Sequence, residues 1–303
     1  MPGRIIEIST NGRSLHLDRG FLSVREGDAV VGRVPVDDVD AVIASVQGVT
    51  WSNKALAALS ERGATVVIIG ADFNPSAAFI PLRGHHDQGR RMRAQADASA
   101  PMRKRLWAEI VRAKLAAQAA ALETIGQPAE RVKRLRAEVR SGDPTNREAA
   151  AAQAYWPLLM GADFRRDRAG DAANAMLNYG YAVLRSAAAR AIVAAGLHPS
   201  LSLHHVSDGD ALRLADDLME PFRPAVDLLA RDLSLEGAVM GDASTRKRLA
   251  SVLEADYRTA NGRSPLSQAL VRLSQSLAAI FLGDVAKLDL PLSPVPLPPE
   301  LDL

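Results

Sequence analysis

Short apolar runs fill the first eighty positions, and their spacing is typical of β-strands. Ser14 to Asp18 alternates apolar with polar residues, as a strand with one buried face does. Residues 52–62 instead have helical spacing, which stops at Gly63. The predicted strands cover residues 5–8, 14–18, 21–24, 29–31, 41–44 and 65–69. Short strands at close spacing predict a small β-sandwich-like domain over residues 1–80.

From residue 101 onward the apolar positions recur at helical spacing. Asp143 followed by Pro144 predicts a helix cap and the first helical residue after it. The predicted helices cover residues 102–125, 129–140, 144–160, 169–195, 209–220, 224–233, 245–257 and 265–282. This pattern indicates an all-helical domain over residues 101–290, so the predicted fold class is α+β.

Two segments follow neither pattern. Residues 81–100 collect Gly, His and Arg, which is typical of an interdomain linker. Residues 291–303 form a proline-rich tail that is expected to be extended. The tail could present Leu292 and Val295 to a small partner protein, or it could be a disordered chain end.

Composition excludes several kinds of chemistry. The 303 residues contain no cysteine, which rules out disulfides, cysteine-ligated metals and thiol catalysis. No apolar run approaches the roughly 20 residues that cross a bilayer, and Glu7 interrupts the start where a signal peptide needs an apolar core. We therefore expect a soluble, cytoplasmic protein without a membrane partner.

The charge is distributed unevenly along the chain. Residues 83–147 hold fifteen Lys or Arg and seven Asp or Glu, a net +8, whereas the whole chain carries only +2 and the remainder therefore −6. Such polarisation is expected of a protein that binds a polyanion such as DNA. The alternative is a set of solvated helices with Arg-rich outer faces.

Three segments of the helical part could hold a metal. Glu148 lies one turn into its helix. The alternative to a metal ligand is an acid that interacts favourably with the helix dipole at this end. His204 and His205 are adjacent, so in an extended chain only one would face a given site. Asp217 and Glu220 share a helix face and would repel unless a cation lay between them; oxygen ligands favour magnesium or manganese. A solvated acidic face is the alternative. Beside a basic surface, a cation site indicates phosphodiester chemistry.

Several of these motifs occur in one known family in the same order. Glu148 is followed by Tyr155-Trp156, and then come the runs Asn174 to Tyr181, Gly196 to His205, and Asp217-Leu-Met-Glu-Pro-Phe-Arg-Pro224. This order resembles the CRISPR-associated spacer-acquisition integrases, the Cas1 family, in the version found in type II systems. The resemblance covers nearly the whole chain, including the strands-first, helices-second layout.

The resemblance implies a catalytic metal site. Its ligands would be Glu148, His205 and Glu220, with Asp217 as a supporting or alternative ligand, and the metal would be Mg²⁺ or Mn²⁺. Arg165 and Arg166 resemble a basic pair of the family. This pair, together with arginines of the basic segment 83–147, gives the set of expected DNA-binding residues: Arg83, Arg90, Arg91, Arg93, Arg165 and Arg166.

The resemblance also implies an activity and an assembly. The protein would be a metal-dependent DNA endonuclease and integrase that captures foreign fragments of double-stranded DNA and inserts them as spacers into the CRISPR array. Its N-terminal domain would form a homodimer, and two dimers would be bridged by a dimer of a small ferredoxin-like partner, with the effector nuclease of the system as a further partner. The competing hypothesis is a non-catalytic DNA-binding scaffold.

Overall fold

Two four-stranded sheets make up the N-terminal part of the computed structural model, which describes residues 4–70, 75–81, 85–167, 170, 172–205, 210–260 and 262–298. The strands are β1 (Arg4–Ile8), β2 (Arg13–Asp18), β3 (Phe21–Glu26), β4 (Ala29–Pro35), β5 (Val39–Ala44), β6 (Thr50–Trp51), β7 (Thr65–Ile69) and β8 (Pro75–Phe79). The first sheet has the order β1-β5-β7-β8, with β5 parallel to both of its neighbours. The second has the order β4-β3-β2-β6 and is antiparallel apart from the β2–β6 pair.

Helix α1 (Asn53–Glu61) connects these sheets to a common core. Ser52 caps it by accepting a hydrogen bond from the backbone N–H of Ala55 at 3.2 Å. Side chains of both sheets, including Leu15 and Val42, pack with Leu59 of this helix. The sequence predicted a sandwich-like β domain with a helix over residues 52–62; the structure places this helix in the domain core and shows parallel strand pairs in both sheets.

The C-terminal part is helical with one exception. Its helices are α2 (Gln88–Ala96), α3 (Ala100–Thr124), α4 (Glu130–Glu138), α5 (Arg147–Met160), α6 (Ala172–Ala194), α7 (Arg213–Met219), α8 (Arg223–Leu235), α9 (Ala243–Ala250) and α10 (Leu266–Leu282). The exception is a hairpin of β9 (Asp256–Thr259) and β10 (Gly262–Pro265), so the all-helical expectation was wrong here. The predicted helix over residues 245–257 ends early, because a 3₁₀ turn at Ser251–Glu254 leads into β9. Among the described helices, none has the length and apolar character needed to cross a bilayer.

The segment expected to be a linker contains α2, which packs against the helices. Gln95, only 3% exposed, donates to the backbone carbonyls of His198 and Leu201 at 3.0 and 2.8 Å and accepts from the N–H of His198. The sequence did not reveal this helix, because its one buried residue, Gln95, is polar and gives no regular spacing of apolar positions.

One apolar core joins the strands to the helices. Ile43, Val67 and Ile69 of the first sheet belong to the same buried cluster as the helical side chains, and β5 and β7 contact α6. Arg190 of α6 adds an ion pair with Asp40 at 2.6 Å. The first sheet is thus a packing layer of the helical part.

The described part of the tail lies along β9. Leu292 and Leu297 donate backbone hydrogen bonds to the carbonyls of Arg258 at 2.8 Å and Asp256 at 2.7 Å. Leu290 and Val295 pack against the main core. Up to residue 298 the tail contains bends at residues 292–295 and binds its own chain.

Candidate metal centre

A capped helix start positions Glu148. The carboxylate of Asp143 accepts hydrogen bonds from the backbone N–H groups of Arg147 at 2.9 Å and Glu148 at 3.0 Å. These N–H groups have no partner within the helix, so the cap fixes its first turn. The sequence predicted Asp143 as N-cap and Pro144 as first residue. Instead Asp143 has φ 45°, a left-handed conformation, and the helix begins at Arg147 with Asn146 as its cap.

Glu220 lies where α7 passes into a short 3₁₀ turn, Glu220–Phe222. Pro221 has no N–H to donate, so the helix ends at Met219, one residue before the predicted end at residue 220. The Glu220 side chain is only 2% exposed, and its Oε1 accepts a hydrogen bond from Arg223 at 2.6 Å. This acid is therefore buried and not part of a solvated face.

Lys114 of α3 brings the two acids together. Its Nζ lies 2.5 Å from Oε1 of Glu148 and 2.5 Å from Oε2 of Glu220, so the two carboxylate oxygens are within 5 Å of each other. Helix α3 contacts α4, α5, α7, α8 and the 3₁₀ turn, which explains how one lysine reaches both segments. The carboxylates come from parts of the chain more than 70 residues apart.

Lys114 and Glu220 stabilise each other's charged forms. Burial would lower the pKa of Lys114, but Glu220 and Glu148 outweigh it and raise that pKa. Burial would likewise raise the pKa of Glu220, but Arg223 and Lys114 outweigh it and lower that pKa. Glu220 is thus held as a carboxylate, the form in which it binds a cation, and Glu148 contacts the same ammonium group.

His205 is held by Asp217, next to Trp107. The Oδ1 atom of Asp217 lies 2.7 Å from Nδ1 of His205, and the Asp217 side chain is completely buried. This hydrogen bond raises the pKa of His205 despite burial. His204 stacks on Trp107 with ring centroids 4.5 Å apart, and His205 meets the same ring edge-on at 5.4 Å. The two histidines therefore do not face opposite sides, because this segment is not a strand.

The donor atoms fit a hard divalent cation. Glu148 and Glu220 supply carboxylate oxygens, and a carboxylate on Nδ1 is the usual partner of a metal-ligating histidine. Oε2 of Glu220 is buried, and despite the nearby ammonium it has no well-directed hydrogen bond among the described residues. Lys114 already supplies a positive charge where such a cation would lie.

The predicted ligands do not form one closed cluster. Within the described ranges, no three His, Asp or Glu side chains lie close enough together to hold a metal. Glu148 and Glu220 share Lys114, whereas Asp217 contacts His205. The ligand set remains a prediction that this arrangement supports for the two glutamates.

A second buried network lies behind the glutamates. Asp227 accepts hydrogen bonds from Tyr155 at 3.0 Å and from Tyr181, whose ring also carries the Arg223 guanidinium 4.1 Å from its centroid. Gly180 lets α6 approach α8 closely, because a Cβ atom at this position would lie 2.4 Å from Cγ1 of Val226. Burial raises the pKa of Asp227 to about 6.

The predicted DNA-binding residues fall into different places. Arg90, Arg93 and Arg165 are exposed, whereas Arg91 and Arg166 are half-buried. Arg91 donates to the carbonyl of Ala195 at 2.8 Å. Arg166 donates to Asn174 and Asn178, at 2.9 and 2.6 Å, and so joins the start of α6. Arg83 lies outside the described residues.

Comparisons with known proteins find one family. The model of the family "CRISPR associated protein Cas1" matches residues 6–260. A CRISPR-associated endonuclease Cas1 of Neisseria meningitidis serogroup C is 37% identical over 234 residues, which cover 77% of this chain and 76% of that protein. A CRISPR-associated endonuclease Cas1 2 of Pyrobaculum aerophilum is 30% identical over 291 residues, covering 90% and 97%.

Solved structures share the fold. A casposase bound to integration product superposes with a TM-score of 0.80 at 19% identity, covering 94% of this chain and 92% of that one. A Cas1 protein from Thermotoga maritima gives 0.77 at 16% identity, covering 93% and 98%. A chain of a Cas6-RT-Cas1–Cas2 complex gives 0.73 at 17% identity, covering 93% of this chain and 35% of that one.

Proposed function

The chain belongs to the Cas1 family of CRISPR-associated proteins, and from this membership we propose that it is the integrase of CRISPR adaptation, a DNA endonuclease that inserts captured fragments into the repeat array. One structural observation supports the enzyme over a DNA-binding scaffold. Glu148, which is half-buried, and Glu220, which is buried, come from distant segments and contact the same ammonium group, an arrangement that is not expected of separate surface charges.

The metal ligands in this proposal are Glu148, His205 and Glu220. A bound Mg²⁺ or Mn²⁺ would polarise the scissile phosphate and assist attack by a 3′-hydroxyl or by water. Arg223 holds the Glu220 carboxylate, and Asp217 orients the His205 ring so that Nε2 is free to bind. No covalent protein intermediate is required.

The proposed partners follow from the family. They are double-stranded DNA, a second copy of this chain, and a small ferredoxin-like protein whose dimer bridges two dimers of this chain; the effector nuclease is a further candidate. The names of two structural neighbours, a Cas1–Cas2-containing complex and a Cas1–DNA complex, are in line with this assembly. We assign dimerisation to residues 1–80 and catalysis to residues 101–290.

We also propose that the chain is of the version found in type II systems. The match to the N. meningitidis protein supports this assignment.

Replacement of Glu148 by Gln tests the activity. Gln keeps the size of the side chain and loses the charge that a metal needs. We expect loss of Mn²⁺-dependent cleavage and strand transfer on a branched duplex, with DNA binding retained. Glu123→Gln, at an acid 51% exposed, is the matched control and should keep the activity. A wild-type protein that binds the duplex but shows no divalent-dependent reaction would favour the scaffold.

A further inference from the structure

Lys114 has no assigned role, yet it occupies the centre of the candidate site. It projects from the buried face of α3, between Val111 and Gln118, and its side chain is 11% exposed. A lysine in such a position is unusual unless its charge is paired. Here it is paired twice, with Glu148 and with Glu220.

Its ammonium group stands where the positive charge of a metal would stand. The two carboxylates would repel each other in a buried site without a cation between them. Arg223 reaches Glu220, but among the described residues Lys114 is the cation that contacts both acids. The lysine thus stabilises the pair of acids in the absence of a metal.

We propose that Lys114 is a resident counter-ion that competes with the divalent metal for Glu148 and Glu220, so that the free protein binds metal weakly. This inference rests on the proposed metal site. A divalent ion that takes both oxygens must displace the ammonium, because two positive charges cannot share a gap of at most 5 Å without strong repulsion. The flexible four-carbon stem of lysine allows the displacement.

Displacement has a consequence for DNA. Once it leaves the carboxylates, the ammonium needs another anion, and a DNA phosphate beside the site provides one. Metal and DNA therefore assist each other's binding, since linkage between two ligands is reciprocal.

The test compares Mn²⁺ affinity by electron paramagnetic resonance, on the full-length protein without DNA. Lys114→Met keeps the length and apolar stem but removes the charge, and we expect it to bind Mn²⁺ at least tenfold more tightly than the wild type. Lys114→Arg keeps the charge and should stay near the wild-type affinity. The double variant Lys114→Met/Glu148→Gln should lose the gain.

Thermal unfolding supplies a second readout. With a chelator present, Lys114→Met leaves the buried Glu220 and the half-buried Glu148 without their shared cation, so its Tm should fall below that of the wild type. Added Mn²⁺ should raise its Tm more than it raises the wild-type Tm. If the Met variant does not fold, Lys114→Gln, which keeps a hydrogen-bond donor without the charge, gives the same comparison.

The outcomes separate this inference from the function it rests on. Equal or weaker Mn²⁺ binding by the uncharged variants, with Glu148→Gln reducing binding in each background, would leave the metal site in place and overturn the role of Lys114. Mn²⁺ binding that does not depend on Glu148 in any variant would overturn both.

Discussion

The carboxylate of Asp217 holds the His205 ring and the backbone beneath it at the same time. Its Oδ1 lies 2.7 Å from Nδ1 of His205, and its Oδ2 accepts the backbone N–H of Leu203 at 2.6 Å. Both oxygens of Asp217 accept hydrogen bonds from backbone N–H groups of this segment, so Nδ1 is assigned as the donor to Oδ1. When the imidazole is neutral, Nε2 then has a free lone pair, the form in which histidine binds metals; because the pKa of His205 is raised, a metal must compete with a proton for this atom.

Replacing Asp217 by Asn should therefore weaken metal binding. The amide no longer fixes the ring through a charged acceptor, and loss of such a partner typically reduces metal affinity by about 10- to 100-fold. We expect a reduction of this size in Mn²⁺ affinity, with a parallel loss of strand transfer. The matched control is Asp216→Asn. Asp216 lies next to Asp217 on α7, and its replacement breaks an ion pair with Arg185 of α6. An equal effect of both substitutions on Mn²⁺ affinity would argue for general destabilisation.

Asp227 should make the protein less stable as the pH rises from about 4 to about 6. Burial raises its pKa from 3.8 to about 6, so between these values the native state binds more protons than the unfolded state. Stability falls with pH in that window, by roughly 3 kcal/mol over its full width. Asp227→Asn removes this component and should gain stability relative to the wild type above pH 6.

Urea unfolding at pH 4.5, 6 and 7.5 measures this effect. The readout is the difference in unfolding free energy between Asp227→Asn and the wild type, because other groups titrate as well. Asp232→Asn, at an acid 56% exposed on the same helix, is the control. A difference that stays constant across the three pH values would contradict the prediction.

Arg90 and Arg91 should have separable effects. Arg90 is exposed, so Arg90→Ala should lower the slope of log affinity for DNA against log salt by about one and leave stability unchanged. Arg91 donates to the Ala195 carbonyl at the end of α6, so Arg91→Ala should reduce the unfolding free energy by about 1–3 kcal/mol. Salt titrations of DNA binding and urea unfolding distinguish the two roles. An unchanged slope for Arg90→Ala would remove this residue from the DNA surface.

A chain that ends at Asp289 should be less stable than the full protein. It loses the backbone hydrogen bonds of the tail to β9 and the packing of Leu290 and Val295, together about 2–4 kcal/mol. A chain that ends at Pro298 keeps these contacts and should unfold like the wild type. Measuring the affinity of both chains for the small partner protein shows whether the tail also binds that partner. Equal stability of the two truncated chains would mean that the tail adds nothing to the fold.

The sequence predicted most strands and helices because apolar residues recur in them at the regular spacing of a strand or a helix. It failed where burial is polar or the element is short. Gln95 anchors α2 through hydrogen bonds to backbone carbonyls, which leave no apolar period. The hairpin at Asp256–Pro265 has four residues in each strand, and it follows a run with helical spacing. The cap at Asp143 depends on a left-handed backbone that the Asp-Pro pattern does not reveal.

The site was predicted only in part, for a similar reason. Glu148, His205 and Glu220 were identified by resemblance, but Lys114 was one basic residue among fifteen in its stretch. A signal was present: it lies on the face of α3 that Leu115 and Gln118 also occupy, at a position where an apolar residue is expected. Which acids it would meet depends on tertiary packing, and spacing along the chain does not encode that.

Ile43, Val67 and Ile69 belong to the strand-rich part in sequence but complete the core of the helices. In evolutionary terms, this limits the exchange of modules between relatives. A chimaera of the first eighty residues of one protein with the helices of another would have to match these contacts at once, because a misfit leaves a cavity or an overlap in a close-packed interior. We therefore expect the two parts to be inherited as a unit, and changes at these three positions to be accompanied by changes in the helices that face them.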